Sequence, residues 1–585
     1  MMYRNAPETD FQKPSDEEIA YIGRNSFYAF LALHGEELLP DEAFRGLYAK
    51  DGRPGLRPSM VARAHLLQTY CNVSDAEAKQ RADFDQRWRV ALHLKEGDRP
   101  FAKSTFQEFR NRLIGHDQER MLLVRSLEAA RARGYLVGRR LHIAVDTTPV
   151  WGRGAVKDTY NLLADGIQIL GRAVAGALDQ EVGDWARDQG LTRYFGSSVK
   201  GSAKIDWDDD EARAVFLTGI VADADRLVYE ADRVAEQVGE GEKASGIRDA
   251  SALLRRLVEQ DVERTAEGCR IKEGVAKDRV VSAHDPVMRH GRKSASKRFD
   301  GHKGAFAVDT DEPFVLAVQE LPGNAADKEK VLDLVVESEA NAQVEVGKTS
   351  GDCAYGDGAT REAFANAGRT LIAPVPSPPK GKALPKQEFT IDLDQDRVTC
   401  PEGQTTETWK EVRAETPQGP RAVKQFEFSA EVCRACRRYK ECVSSTKGKG
   451  RTVTCHPQER RLQEARAFQE TEEFREAKKR RQVVEQRIAR LVQLGVRQAR
   501  YFGRRKTLFQ LTLAAVVANL VLLMNYALKG HGTPAQGAAA SVLCPVLFVF
   551  VLWIVAATRR ASRTRHSARI LARPVDGGSS QLFAA

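Results

Sequence analysis

Between Met1 and Glu8 the chain has no apolar core of the kind a secretory signal needs. Cysteine is scarce and odd in number, nine in 585 residues, so a disulfide framework is not expected to organise the fold. Both absences point to a reducing, cytoplasmic setting close to the nucleoid. Acid is nearly missing from one stretch: between Lys478 and Lys506 eleven lysines and arginines stand with a single carboxylate, Glu485. The overall charge is only +10, so this segment concentrates the excess, and a polyanion is its natural partner. Residues 160–280, although long, show no chemical constellation and read as a helical accessory insertion.

The length exceeds what one core serves, and 42% hydrophobic residues suffice for three or four folding units. Two apolar runs are long enough to cross a bilayer. Leu511–Leu528 carries Asn519 and Asn525, which favours burial inside protein. Gly537–Ala557 is followed by Arg559, Arg560, Arg563 and Arg565. It is expected to belong to an atypical tail, residues 531–585, rather than to a membrane span.

Apolar spacing predicts a helical N-terminal domain over residues 15–135, with Ser104 capping a helix in which Glu108 and Arg112 lie four apart. A helix-turn-helix-like DNA module and a purely structural helical pair are equal readings of it. Leu141–Val145 is a short β-prone run that delivers Asp146 at its end. Beyond residue 303 strands recur at 304–308 and 314–318, a helix is predicted from Asp327 to Ala340, and a strand at 344–349 ends in Ser350-Gly351-Asp352. The alternation of strands and helices is mixed α/β.

Two aspartates at strand ends and a glutamate on a later helix are the donor set that phosphodiester chemistry with two magnesium or manganese ions requires, because hard cations take oxygen ligands. Asp146, Asp352 and Glu485 are the candidates. Glu485 stands beside Val484, Ile488 and Leu491, whose spacing marks a buried helix face. An intrahelical ion pair with Arg481 is the plainer role for it. Cys400, Cys433, Cys436 and Cys442 contain one CxxC and suit a structural zinc in a small inserted unit, with ordinary reduced thiols as the alternative. The basic run that includes Arg292, Lys293, Lys297, Arg298 and Lys303 suits DNA phosphates.

Ala144-Val145-Asp146-Thr147-Thr148, the run from Asp285-Pro286 through Asp300-Gly301-His302-Lys303-Gly304, Gly351-Asp352-Cys353-Ala354-Tyr355-Gly356, and Val484-Glu485 with Arg497-Gln498-Ala499-Arg500-Tyr501 together resemble the DDE transposases of bacterial insertion sequences. The resemblance is to those with an InsH-like N-terminal domain, near the insertion-sequence 1182 group, and covers roughly residues 20–528. It implies an RNase H-like catalytic core built from residues 138–160 and 280–378, interrupted by the helical insertion 161–279 and the Cys-containing insertion 379–456, and completed by helices over 457–530. It further implies Asp146, Asp352 and Glu485 as catalytic metal ligands, with Arg481, Arg497, Arg500 and Tyr501 at the DNA. Double-stranded DNA is the implied partner and a homodimer the implied assembly. Of a Tyr-x2-Arg-x3-Glu-x6-Lys signature in related transposases the chain keeps Arg481 and Glu485 but has Lys478 and Val492 at the outer positions. A metal-dependent nuclease without strand transfer, and a DNA-binding relic of a decayed element, are the alternatives.

Overall fold

The computed structural model describes residues 13–529 apart from 49–54, 96, 295, 378–382, 416–418 and 445–447. The apolar run 537–557 and the rest of the tail lie outside the described residues.

The N-terminal segment forms helices that include α1 (Pro58–Cys71), α2 (Lys103–Gly115) and α3 (Glu119–Ala132). Pro58 sits in the first turn of α1, where its missing N–H costs nothing. α2 starts before the expected cap: Ala102 precedes it without a side-chain cap, and Ser104 lies inside the helix. The reason is a hydrophobic staple, since Phe101 just outside the helix stacks on Phe106 within it, ring centroids 5.0 Å apart. The Glu108–Arg112 ion pair forms as the spacing predicts.

The central sheet contains β1 (Leu141–Trp151), β2 (Arg298–Asp309), β3 (Val315–Pro322), β4 (Val346–Ser350) and β5 (Thr370–Ile372). β2 pairs antiparallel with β1 and with β3, whereas β4 pairs parallel with β1 and β5 parallel with β4. The order across the sheet is therefore β3-β2-β1-β4-β5. A short strand, Arg289–Arg292, pairs with the first residues of β2 and makes a basic hairpin. Gly301 is required within it: its φ is +150°, and a Cβ there would lie 2.2 Å from the Val150 carbonyl oxygen of β1.

Between β1 and β2 the chain inserts α4 (Thr159–Ala177), α5 (Asp210–Val238) and α6 (Glu242–Asp261), which bury Leu163, Ile220 and Leu254 in a core of their own. After β5, short strands around Phe389, Val398 and Phe426 form another small core. Three further helices flank the sheet: α7 (Val331–Ala342), α8 (Glu472–Gln493) and α9 (Arg504–Leu528). The N-terminal helices do not pack apart from the sheet. One continuous core runs from Leu31 and Leu66 through Phe306 and Val315 to Leu513 and Val517.

α9 is long and apolar enough to cross a membrane, but 78% of its apolar window is buried inside the protein. Asn519 shows why it is a core helix. Its Oδ1 accepts from the Val315 N–H (2.8 Å), while its Nδ2 donates to the Val315 carbonyl (2.9 Å) and to Ser126 Oγ (3.2 Å). One fully buried amide thus closes the edge of β3 and ties α3 to α9. Replacing it by leucine leaves both Val315 backbone groups unpaired in the core. Asn519→Leu is expected to destabilise the protein by about 2–4 kcal/mol, read as a lower denaturant midpoint with an unchanged slope.

Candidate active site

Parallel register sets the site. Ala144 of β1 pairs with Ser350, the last residue of β4. β1 does not end at Asp146 as its apolar run predicts but continues to Trp151, because Thr147–Trp151 stay paired with β2; Asp146 therefore lies inside β1, while Asp352 stands two residues beyond the end of β4. Asp146 is partly buried, and its Oδ1 accepts from the Thr147 N–H at 2.7 Å. Asp352 follows the end of β4 and caps a short turn, its Oδ1 accepting from the Ala354 N–H at 2.9 Å. Gly351 precedes it because a Cβ there would meet the Tyr355 ring at 2.8 Å.

α8 lays Val484, Ile488 and Leu491 into the core and leaves Glu485 exposed at the edge of that face. Arg481, one turn earlier, joins the elements: its Nη2 meets Glu485 Oε1 at 2.5 Å and its Nη1 lies 3.5 Å from Asp146 Oδ2. The intrahelical pair and the approach to Asp146 therefore coexist. Asp352, Glu485, Arg481, Lys478 and Cys353 line one cavity of about 350 Å³.

Electrostatics mark Asp146 as the strained member. Burial above all, then the negative charges of Asp352 and Asp327, push its carboxyl up to about 6, against the opposing pull of the Thr147 N–H and Arg481. Tyr355, wholly buried, has its phenol pushed well up by burial and then by Asp146, Asp327 and Asp352. Asp327 was assigned by periodicity to a helix, but α7 begins only at Val331, and Asp327 stands in the turn before it. There its Oδ1 accepts from Thr147 Oγ1 and from Lys303 Nζ, each at 2.8 Å. No signal of spacing or charge in the sequence singles it out.

The residues expected at DNA divide into two groups. Arg292, Lys293, Lys297 and Arg298 are exposed at the tip of the basic hairpin. The others are turned inward. Lys303 is buried, bonded to the Ala325 carbonyl and Asp327, because its place in β2 points it into the fold rather than at a polyanion. Arg500 donates to the Val73 carbonyl (2.5 Å) and to Asn72 of the loop after α1. Tyr501 accepts from Arg110 at 3.0 Å and lies under its guanidinium, so this pair fastens α2 to the C-terminal helices. The guanidinium of Arg497 lies over Trp151 at 6.0 Å, while its carbonyl accepts from the Trp151 N–H.

Cys400, Cys433 and Cys442 pack against the same small core, and the Arg451 N–H donates to Cys433 Sγ at 3.4 Å. Among the described residues no three or more His, Cys, Asp or Glu side chains stand in an arrangement that holds a metal ion. The four cysteines carry no disulfide, and burial first, then the neighbouring Cys433, Cys400 and Cys436, push the Cys442 thiol up against the pull of Arg451. The absence of a metal-holding arrangement extends to Asp146, Asp352 and Glu485, two of which share the Arg481 guanidinium; what suits them to a hard cation is the chemistry of their carboxylate oxygens.

Two stretches of the chain match family models. Residues 20–112 match "Transposase domain (DUF772)" and residues 399–524 match "Transposase DDE domain". Together they indicate a transposase of the DDE type. Neither a curated protein nor a solved structure matches the chain.

The raised Asp146 carboxyl makes a prediction about stability. An acid that holds its proton more tightly when folded supports the fold fully below its unfolded value near 3.8, and that support is lost as pH rises through about 6. Asp146→Asn, which mimics the protonated acid, is expected to stabilise the metal-free protein at pH 7.5 by on the order of 1–3 kcal/mol. The gain disappears by pH 4. Equilibrium unfolding of both proteins at the two pH values measures it.

Proposed function

We propose that the chain is the transposase of a bacterial insertion sequence, of the group with an InsH-like N-terminal domain near insertion sequence 1182, and that it cleaves and joins DNA strands at Asp146, Asp352 and Glu485. The observation that carries the reading is the convergence of Asp146 in β1 and Asp352 after the adjacent parallel strand β4, with the α8 pair Arg481–Glu485 laid against them. The order β3-β2-β1-β4-β5, three strands antiparallel and the rest parallel to β1, supports an RNase H-like core. Divalent magnesium or manganese held by the three acids would supply Lewis acidity and a lowered pKa for an attacking water or 3′-hydroxyl.

The chain's own residues do the rest. Backbone pairing with β2 fixes Asp146 inside β1, and Asp352 follows two residues after β4, which pairs with β1. α8 brings Glu485 to the same cavity, and Lys478 and Arg481 place positive charge where a scissile phosphate would enter. Arg292, Lys293, Lys297 and Arg298, exposed on a hairpin, suit contacts to the phosphates of duplex DNA as point charges and forks. Two protomers acting together would bring two element ends into one complex.

The test is cleavage of labelled DNA carrying the element's terminal repeats, with magnesium or manganese, by the wild type and by Asp146→Ala, Asp352→Ala and Glu485→Ala. Cutting by the wild type and a loss of at least about 10³-fold in each variant, with DNA binding retained, is the expected result. Binding without cutting by the wild type would sink the proposal in favour of a relic. A second arm supplies pre-cut ends, and cutting without joining would leave a nuclease.

A further inference from the structure

We infer that Asp327 and Lys303 form a positioning pair for Asp146, acting through Thr147; the inference rests on Asp146 serving as a metal ligand. Side chains alternate along a strand, so Thr147 leaves β1 on the face opposite to Asp146. In the antiparallel register Thr147 pairs with Ala305 and Pro149 with Lys303, which puts Thr147 and Lys303 on that same opposite face. There Asp327 Oδ1 takes a hydrogen bond from the Thr147 hydroxyl and another from Lys303 Nζ, each 2.8 Å. Lys303 has its side chain only 10% exposed and gives a further bond to the Ala325 carbonyl at 2.7 Å. Its ammonium is held by two acceptors.

The consequence lies in the backbone. The same Thr147 whose hydroxyl is gripped from one face donates its N–H to Asp146 Oδ1 on the other, at 2.7 Å. Asp327 thereby sets the orientation of the peptide that holds the Asp146 carboxylate, and Lys303 keeps Asp327 in place while balancing its charge. Without that balance the negative charges of Asp327 and Asp352 would both bear on Asp146. A carboxylate that orients a ligand through an intermediate group affects affinity and rate by about 10–100-fold when removed. Asp327 has no contact with DNA or metal in this role, and Lys303 is structural to it rather than a phosphate contact.

The test uses the full-length chain and two readouts. Mn²⁺ binding is titrated by the loss of free-ion electron paramagnetic resonance signal, with Asp146→Ala defining the signal that belongs to the site. DNA cleavage is measured in parallel as kcat and KM. Thr147→Val, which removes only the hydroxyl, and Asp327→Ala are each expected to weaken Mn²⁺ binding and to lower kcat, both by about 10-fold or more, with KM for DNA unchanged. Thr147→Ser, which keeps the hydroxyl, is expected to restore both. Should Asp327→Ala fail to fold, Thr147→Val decides alone. Wild-type affinity and kcat in Thr147→Val overturn the positioning role, and so does a Thr147→Ser that does no better than Thr147→Val. A wild type that binds Mn²⁺ through Asp146 but does not cut DNA overturns the proposed function while the Mn²⁺ titration still tests the pair. A wild type with no Asp146-dependent Mn²⁺ binding overturns the pair itself.

Discussion

Parallel pairing of β1 with β4 is the constraint on which the candidate site depends. The parallel pairing runs out at Ala144 and Ser350, where β4 ends while β1 continues against β2, and two residues on from each partner stands an aspartate. Like charges close together at a partly buried site are unfavourable. The fold offsets this from outside the sheet: α8, held down by Val484, Ile488 and Leu491, swings Arg481 over the pair and presents Glu485 beyond it. If the register slipped by one residue, Asp146 would point to the opposite face, away from Arg481 of α8.

The same geometry explains why the site coexists with a rigid frame. A carboxyl raised to about 6 is a local cost that stays folded only because its surroundings are over-determined. Those surroundings are a continuous apolar core from the N-terminal helices to α9, with Asn519 locking β3 from beneath. His302 has the same character: it is buried between Glu320, at 2.7 Å, and Asp285, at 3.8 Å, and Arg504 at the start of α9 reaches Glu320 as well. The conspicuous run Asp300-Gly301-His302-Lys303-Gly304 is therefore interior wiring that fastens β2 to its neighbours.

That difference shows how far the sequence could be read. Asp146, Asp352 and Glu485 were legible as candidates, the aspartates as acids following β-prone runs and Glu485 as a lone acid on the edge of a periodic apolar face, but the run before Asp146 does not end there: β1 continues to Trp151 because β2 pairs with it throughout. Asp327 was not legible, since its role depends on a turn before α7 and on partners 24 and 180 residues away. Lys303 was misread for a related reason. Density of charge identifies a basic run, but a strand turns alternate residues inward, and only the register says which ones. Ser104 failed through a tertiary preference: the Phe101–Phe106 stack fixed the start of α2 where side-chain capping propensity would have started it later.

The basic residues thus sort by exposure rather than by number, and the placement of the helical insertion makes the sorting intelligible. Trp151 at the end of β1 lies opposite Gly301 near the start of β2. The two ends of the long connection between these strands are accordingly close together, and closing a long loop between neighbouring points costs only slightly more than closing a short one. A body with its own core can occupy that connection without disturbing the pairing of β1 with β4. What it does change is the approach to β2, because the chain returns from it directly into the Arg289–Arg298 hairpin. The exposed cations therefore sit at the junction between the inserted helices and the sheet that holds Asp146.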